Sequence, residues 1–362
     1  MEISRSIQNA CNAFFKNACI EDFEIIPYGH INSTYRVRIG GKDHILQKIN
    51  TTIFKDADAL ISNIASVTEF LRRKIINANG NADRETLTLL KTRDGEYLYK
   101  GEDGVYRMYL FITDATCYNK AEKAGLFGES AKAFGRFQNL LSDFDASNLK
   151  ETIKDFHNTK KRFENFEAAV NSDAFGRKSD CLSEVEFYLS KKDYCPIIAD
   201  RLSDGRLPLR VTHNDTKLNN VMIDNETLTG ICVIDLDTVM PGSMLYDFGD
   251  SIRFGASSAA EDEKDLERVY CVPELYEEYI CGFLSEMKDC ITDEEAKLLH
   301  DGAIMMTLEC GMRFLTDYLE GDVYFRTHYE GQNLDRARTQ MKLVQDMEAR
   351  RELFEGIIKK YI

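Results

Sequence analysis

The stretch Val211-Thr-His-Asn-Asp-Thr-Lys-Leu-Asn-Asn-Val-Met-Ile-Asp224 decides how this chain is read. It contains the pattern H-x-D-x-x-x-x-N as His213, Asp215 and Asn220. Fifteen residues after Asn220, the apolar run Ile231-Cys-Val-Ile234 ends in Asp235-Leu-Asp237. Each residue type has a chemical use at this spacing. An Asp at a loop tip can take a proton from a hydroxyl group. An Asn five residues on can turn its side-chain oxygen to a hard cation, and an Asp closing the next strand can give that cation a carboxylate oxygen. Asp and Asn are also ordinary turn residues, so the signal is their order and not any one of them. His213 reads as a packed, hydrogen-bonded loop residue, and Asp237 as a structural neighbour of Asp235.

Outward from this stretch the texture of the chain changes once. Before it, segments 23–27, 34–39 and 44–49 are short and apolar, broken by Gly29 and the Gly40-Gly41 pair, which predicts strands and turns. Residues 56–78 place Leu60, Ile64, Val67, Phe70 and Leu71 at helical spacing. Segments 87–90, 97–99 and 106–112 read as further strands. After about residue 115, helical periodicity takes over. Leu126, Ala133, Phe134, Phe137 and Leu141 share one face of 121–141, and 158–171, 182–190, 274–287, 293–316 and 333–358 also favour helix. The expectation is an α+β, bilobal chain. A small antiparallel-sheet lobe spans 1–113, a larger, mainly helical lobe spans 114–362, and the chain crosses at 109–114.

The chain has 362 residues, 46 basic and 61 acidic, for a net charge of −15. With 43% apolar and 30% charged residues it is globular and long enough for two lobes. The acidity argues against nucleic acid as the main partner and against an anionic membrane surface. It leaves room for a local basic pocket. No apolar stretch approaches the roughly 20 residues of a membrane span, and the first ten residues lack a signal peptide's apolar region. Ten cysteines without a C-x-x-C pair predict reduced thiols in a cytoplasmic protein. Six histidines and no tryptophan make a zinc or haem enzyme unexpected. Nothing decisive points to self-association, so a monomer or weak homo-oligomer is expected.

Three blocks carry a family resemblance: 213–224, Val233-Ile-Asp-Leu-Asp-Thr-Val-Met-Pro-Gly242 and Tyr246-Asp-Phe-Gly-Asp-Ser-Ile-Arg-Phe254. Together they resemble the aminoglycoside-phosphotransferase family, whose fold is protein-kinase-like, and within it the N-acetylhexosamine 1-kinases. The similarity runs nearly end to end and includes the less specific Tyr28-Gly-His-Ile-Asn-Ser-Thr-Tyr35 and Leu46-Gln-Lys-Ile-Asn50. It implies transfer of phosphate from ATP, with Mg²⁺, to a small-molecule hydroxyl. For the hexosamine kinases that hydroxyl is the anomeric one of N-acetylglucosamine or N-acetylgalactosamine, giving a sugar 1-phosphate. Asp215 is then the base and a substrate contact, and Asn220 and Asp235 are the metal ligands.

The resemblance also makes the N-terminal lobe the nucleotide-binding one. The turn after Gly29 covers phosphate with Asn32, Ser33 and Thr34, and His30 reaches the sugar. Lys48 is the cation for the α- and β-phosphates, with Glu69 as a candidate ion-pair partner. Strand alternation puts Gln47 and Lys48 on opposite faces, and which of them faces the phosphates stays open. Adenine is expected near Phe111 and Ile112. The stretch 311–325 contributes Arg313 and Tyr324 to the sugar, and Phe254 lines the same side. Asp247 comes too late to be the metal ligand and is expected to brace the catalytic loop through backbone hydrogen bonds. No G-x-x-x-x-G-K-[ST] or G-x-G-x-x-G motif is present, which excludes a P-loop enzyme. Three other readings remain. One is a kinase for a choline, homoserine or aminoglycoside acceptor, and one is a pseudokinase without chemistry. The third is a D-x-D phosphatase, which the placement of Thr238 directly after Asp237 disfavours.

Overall fold

Strands β1 (Ile20–Ile26), β2 (Ser33–Ile39), β3 (Lys42–Ile49), β4 (Tyr99–Gly101) and β5 (Gly104–Leu110) form an antiparallel sheet in the order β1-β2-β3-β5-β4. They belong to a computed structural model that describes residues 3–27, 31–121 and 123–362. Gly40 and Gly41 close the β2–β3 hairpin with φ of 60° and 72°. Two successive positive φ values suit the right-handed twist of the flanking strands, and only glycine adopts them without strain. Helix α1 (Arg5–Phe14) covers one face of the sheet. Its Ile7, Ala10, Cys11 and Phe14 pack with Val37, Leu46, Tyr106 and Met108. Sequence periodicity had not singled out α1, a short helix beside the chain terminus.

The sheet lies in the first of two compact units, made of Met1–Thr116, Asn148–Ile153 and Met222–Met240. Helix α2 (Ala57–Asn77) starts where the periodicity places it, and the Asp56 side chain caps it by accepting from the Ala59 amide at 2.8 Å. A single buried side chain of α2, Asn63, ties in both later segments. Its amide nitrogen donates to the carbonyls of Lys150 (2.7 Å) and Val239 (3.0 Å), and its oxygen accepts from the Lys150 amide (2.9 Å). Helix α3 (Ala82–Glu85) adds Arg84, which pairs with Asp224 at 2.9 Å. Segment 87–90 is not a strand. It makes the isolated bridge Leu89–Tyr109, with the Leu90 amide donating to the Met108 carbonyl and the Leu110 amide donating to the Thr88 carbonyl.

The second unit comprises Cys117–Ser147, Lys154–Val221 and Pro241–Ile362. Its helices are α4 (Leu126–Leu140), α5 (Thr159–Ser172), α6 (Leu182–Ser190), α7 (Ile197–Ser203), α8 (Met244–Gly255), α9 (Pro273–Met287), α10 (Asp293–Lys297), α11 (Leu299–Leu319), α12 (Gln332–Ala349) and α13 (Arg351–Ile358). The predicted helices over 293–316 and 333–358 are each broken, near Leu298 and near Arg350. An antiparallel sheet in one part of the chain and helices dominating the rest make this the expected α+β class. The packing that matters for function is α8 on α11. A Cβ at Gly249 would lie 2.2 Å from the Gly302 carbonyl oxygen, so only glycine allows these backbones to meet. That contact holds the part of α8 that carries Asp247 and Asp250. Among the described residues, no helix is long and apolar enough to cross a membrane.

Asp224 links stability to pH. The amide of Thr227 and the guanidinium of Arg84 hold its carboxyl down to about 2, below the ordinary value of about 3.9. A lowered folded-state pKa stabilises fully above the unfolded value and is lost as pH falls through the folded one. Asp224→Asn is therefore expected to lower Tm at pH 5–7, with the gap to wild type closing between about pH 4 and pH 2. Thermal melts across that range check it, and a gap independent of pH would contradict it.

Candidate active site

The loop carrying Asp215 is built on a buried carboxylate. Asp247, 1% exposed, accepts the His213 amide at 2.9 Å and the Asn214 amide at 2.8 Å, one on each oxygen. Gln138 of α4 donates to the same carboxylate at 2.7 Å and to the Val211 carbonyl at 2.9 Å. Burial pushes the Asp247 carboxyl above its usual range, only partly offset by these donors. The bracing expected of Asp247 is thus present. His213 is fully buried, with its ring edge-on to Phe134 at 5.5 Å, as a packed loop residue should be. Asn214 has φ of 66°, a left-handed non-glycine conformation held in place by these bonds.

This frame presents Asp215 one-third exposed between two donors. Lys217 Nζ lies 2.7 Å from Oδ1, and the Asn220 amide nitrogen donates to Oδ2 at 3.1 Å and to the Asp215 carbonyl at 2.8 Å. Burial by itself would lower the Lys217 pKa, but Asp215 and Asp250 outweigh it and hold it raised. Asp250 accepts both Nε and Nη2 of Arg253 at 3.1 and 2.9 Å, and Arg253 Nη1 reaches Glu261 at 2.9 Å. Asp250 also accepts the Thr216 amide at 3.2 Å. Lys217 and Asp250 were not among the sequence candidates. Their signal was position: two residues after Asp215, and one helical turn after Asp247.

In the same unit, Arg313 of α11 lies over the rings of Phe156 (5.7 Å), Tyr324 (5.7 Å) and Phe325 (5.4 Å). Asp317 shapes the loop that presents Tyr324. It accepts the amides of Val323, Tyr324 and Phe325 at 2.9, 2.7 and 2.9 Å. Tyr324 is 68% exposed, so it is not simply packed. Arg162 of α5 donates to the Phe156 carbonyl at 3.0 Å. Burial and the neighbouring charge of Arg313 both lower its pKa. Two guanidinium groups therefore converge on Phe156. Phe254 is exposed at the end of α8.

The first unit holds the remaining candidates. Gln47 and Arg107 are cross-strand partners, and Gln47 Oε1 accepts from Arg107 Nε at 3.0 Å. Gln47 Nε2 donates to Thr34 Oγ1 at 3.0 Å. Arg107, 1% exposed, pairs through Nη2 with Asp237 Oδ1 at 2.5 Å. The other oxygen of Asp237 accepts from Asn32 Nδ2 at 2.5 Å, and Asn32 Oδ1 accepts the Asn50 amide at 2.9 Å. Asn32 and Thr34 are thus engaged with this network, and Ser33 is exposed. Lys48 lies on the opposite face, 3.7 Å from Asp103 and over the Tyr106 ring at 5.9 Å. The reason is strand alternation: Leu46 is committed to the α1 side, so Lys48 goes with it and Gln47 does not. Glu69 does not meet Lys48 but accepts from the Tyr97 hydroxyl at 2.5 Å. The Phe111 amide reaches the Asp43 carbonyl at 3.4 Å, and Ile112 is buried. His30 lies outside the described residues. Arg107 escaped the sequence reading. Its signal was a lone charge inside the apolar strand Gly104-Val-Tyr-Arg-Met-Tyr-Leu110.

Asp235 does not close its strand, which ends at Val233; it lies two residues further on with φ of 59° and ψ of 56°, a left-handed residue that opens a short turn. Among the described residues, no group of three or more His, Cys, Asp and Glu side chains could hold a metal ion. The donor chemistry of the expected ligands nevertheless fits Mg²⁺. The Asn220 amide nitrogen is turned to Asp215, which leaves the harder amide oxygen as its ligating end. A carboxylate and an amide oxygen suit an ion that takes its other ligands from phosphate and water.

A sequence model described as "Phosphotransferase enzyme family" matches residues 22–279. A solved microcompartment-associated aminopropanol kinase superposes with a TM-score of 0.62 at 15% identity, covering 96% of this chain and 97% of that one. A spectinomycin phosphotransferase solved with ADP and spectinomycin gives 0.60 at 14% identity, covering 98% and 100%. An ethanolamine kinase from Plasmodium vivax gives 0.54 at 15% identity, covering 88% and 82%. At these identities the solved structures speak for the fold.

Replacing Asp247 by alanine removes the acceptor of three buried donors at once. Each one left unsatisfied costs about 1–3 kcal/mol, so Asp247→Ala is expected to lose about 3 kcal/mol or more. Urea unfolding measures this, and a loss below about 1 kcal/mol would mean the loop is held by something else.

Proposed function

The chain belongs to the phosphotransferase enzyme family, and from that premise we propose that it moves the γ-phosphoryl group of ATP to the anomeric hydroxyl of an N-acetylhexosamine. The products are the sugar 1-phosphate and ADP. The observation that carries this reading is the setting of Asp215. Its carboxylate is partly exposed, is contacted by Lys217 and Asn220, and stands on a loop anchored to a buried aspartate. Such a group can orient the C1 hydroxyl and take its proton while the oxygen attacks phosphorus in line. The bond from phosphorus to the ADP oxygen breaks as the new one forms. Asn220 and Asp235 are the proposed ligands of Mg²⁺, which when bound would neutralise phosphate charge. Asn32 and the first residues of β2, Ser33 and Thr34, are the proposed phosphate cover, and the chain at Phe111 and Ile112 the proposed adenine contact.

The acceptor class rests on the arginines. Arg313 beside the exposed Tyr324, with Arg162 at the same phenylalanine, offers two guanidinium groups to an incoming molecule. They suit the hydroxyl and acetamido oxygens of a sugar and repel an ammonium group. This stands against an amine-bearing acceptor of the choline, homoserine or aminoglycoside type, the alternative within the family. On this reading the acceptor differs from those named for the aminopropanol and ethanolamine kinases that the chain resembles in fold. Asp237 is committed to Arg107 and Asn32, which argues against a D-x-D phosphatase. Ten free thiols support a reducing, cytoplasmic setting.

One ATP-consumption assay with N-acetylglucosamine, N-acetylgalactosamine, glucose and choline tests this reading. Turnover with the N-acetyl sugars is expected, with phosphorus NMR showing an anomeric phosphate. Consumption with choline alone would overturn the acceptor class, and no turnover with any acceptor would favour a pseudokinase. Asp215→Asn is expected to keep the fold and nucleotide binding while kcat falls by about 10²–10⁴. A near-normal kcat would remove Asp215 as the base.

A further inference from the structure

We propose that Arg107 is the positioning cation of the nucleotide-phosphate site, acting through Asp237 on Asp235 and on the turn at Asn32. The sequence reading gave a cationic role in this region to Lys48, which the sheet places on its other face with Asp103 and Tyr106. On the face of Gln47 and Thr34, Arg107 is the cation that bonds Gln47, whereas Arg36 and Arg38 of β2 share that face but pair with Asp22, Glu24 and Asp43. Its guanidinium is bound on two sides, by Gln47 through Nε and by Asp237 through Nη2. Asp237 is the junction. One of its oxygens meets Arg107 and the other holds Asn32, which in turn holds the Asn50 amide.

Asp237 is also two residues from Asp235, inside a short turn that begins with the left-handed Asp235 backbone. A strained turn of this kind persists only where its surroundings over-determine it. The Arg107–Asp237 pair supplies that constraint from β5, and the bond to Asn32 carries it to the proposed phosphate cover. Fold stability alone does not account for the pair. A buried ion pair generally stabilises no more than apolar side chains of the same volume. This one also leaves Arg107 Nη1 buried without a hydrogen-bond partner among the described residues. What a fork-shaped, fully buried cation gives instead is a fixed geometry.

The inference rests on Asp235 as a metal ligand and on the turn at Asn32 as a phosphate cover, and its test keeps the two failures apart. Calorimetry on the full chain measures binding of a non-hydrolysable ATP analogue, once as its Mg²⁺ complex and once in EDTA. Arg107→Met is expected to weaken binding of the Mg²⁺ complex by about 10–100-fold, as loss of a group behind a metal ligand does. Binding in EDTA should weaken less than binding of the Mg²⁺ complex, because the phosphate cover at Asn32 is then in use and the metal ligand is not. Arg107→Lys keeps the charge without the fork and should fall between. Arg84→Met removes another ion pair to the 222–240 segment, at Asp224, and should leave both affinities unchanged. Thermal melts establish that each variant is folded. A folded Arg107→Met with wild-type affinity for the Mg²⁺ complex overturns the proposal. Should Arg107→Met not fold, wild-type affinity in Arg107→Lys overturns it instead. A wild-type protein that binds no Mg²⁺–nucleotide overturns the functional reading itself.

Discussion

A buried carboxylate that cannot be left unsatisfied organises the loop that carries Asp215. Asp247 sits in the interior, where an unpaired charge would be costly, and the His213 and Asn214 amides and Gln138 complete its hydrogen bonding. Two successive backbone amides on one carboxylate leave the loop little freedom, so the direction in which Asp215 leaves it is set from behind. The arrangement depends on α8 lying close to α11, which the glycines at 249 and 302 permit. Helix packing, loop conformation and exposure of the Asp215 carboxylate are therefore one chain of causes.

The first unit repeats the logic with another residue pair. Asp237, buried and paired to Arg107, stands behind Asp235 as Asp247 stands behind Asp215. In each case a residue proposed to touch substrate or metal keeps surface exposure, while an aspartate two residues away or on a neighbouring helix takes the burial. The second unit extends its network sideways through Lys217, Asp250, Arg253 and Glu261. Alternating charges of this kind let ionised groups sit at low exposure without large net repulsion. The arginines near Phe156 break that alternation. Arg162 meets Arg313, and burial together with this like charge lowers the Arg162 pKa.

Sequence by itself determined the residue types and order of the loop, the strand-to-helix change of texture and the extent of α2, because these depend on local spacing and periodicity. H-x-D-x-x-x-x-N is visible without knowing its surroundings, and the Asp56 cap precedes the helix it starts. Tertiary structure alone decided matters that depend on distant packing. Whether Gln47 or Lys48 lies beside Arg107 follows from which face of β3 is covered by α1, thirty residues earlier in the chain. That 148–153 and 222–240 join the first unit follows from Asn63 and Arg84 reaching segments far away in sequence. The pairing of Arg107 with Asp237 joins residues 130 positions apart. A sequence displays its neighbours along the chain, whereas burial and charge pairing are settled among neighbours in space.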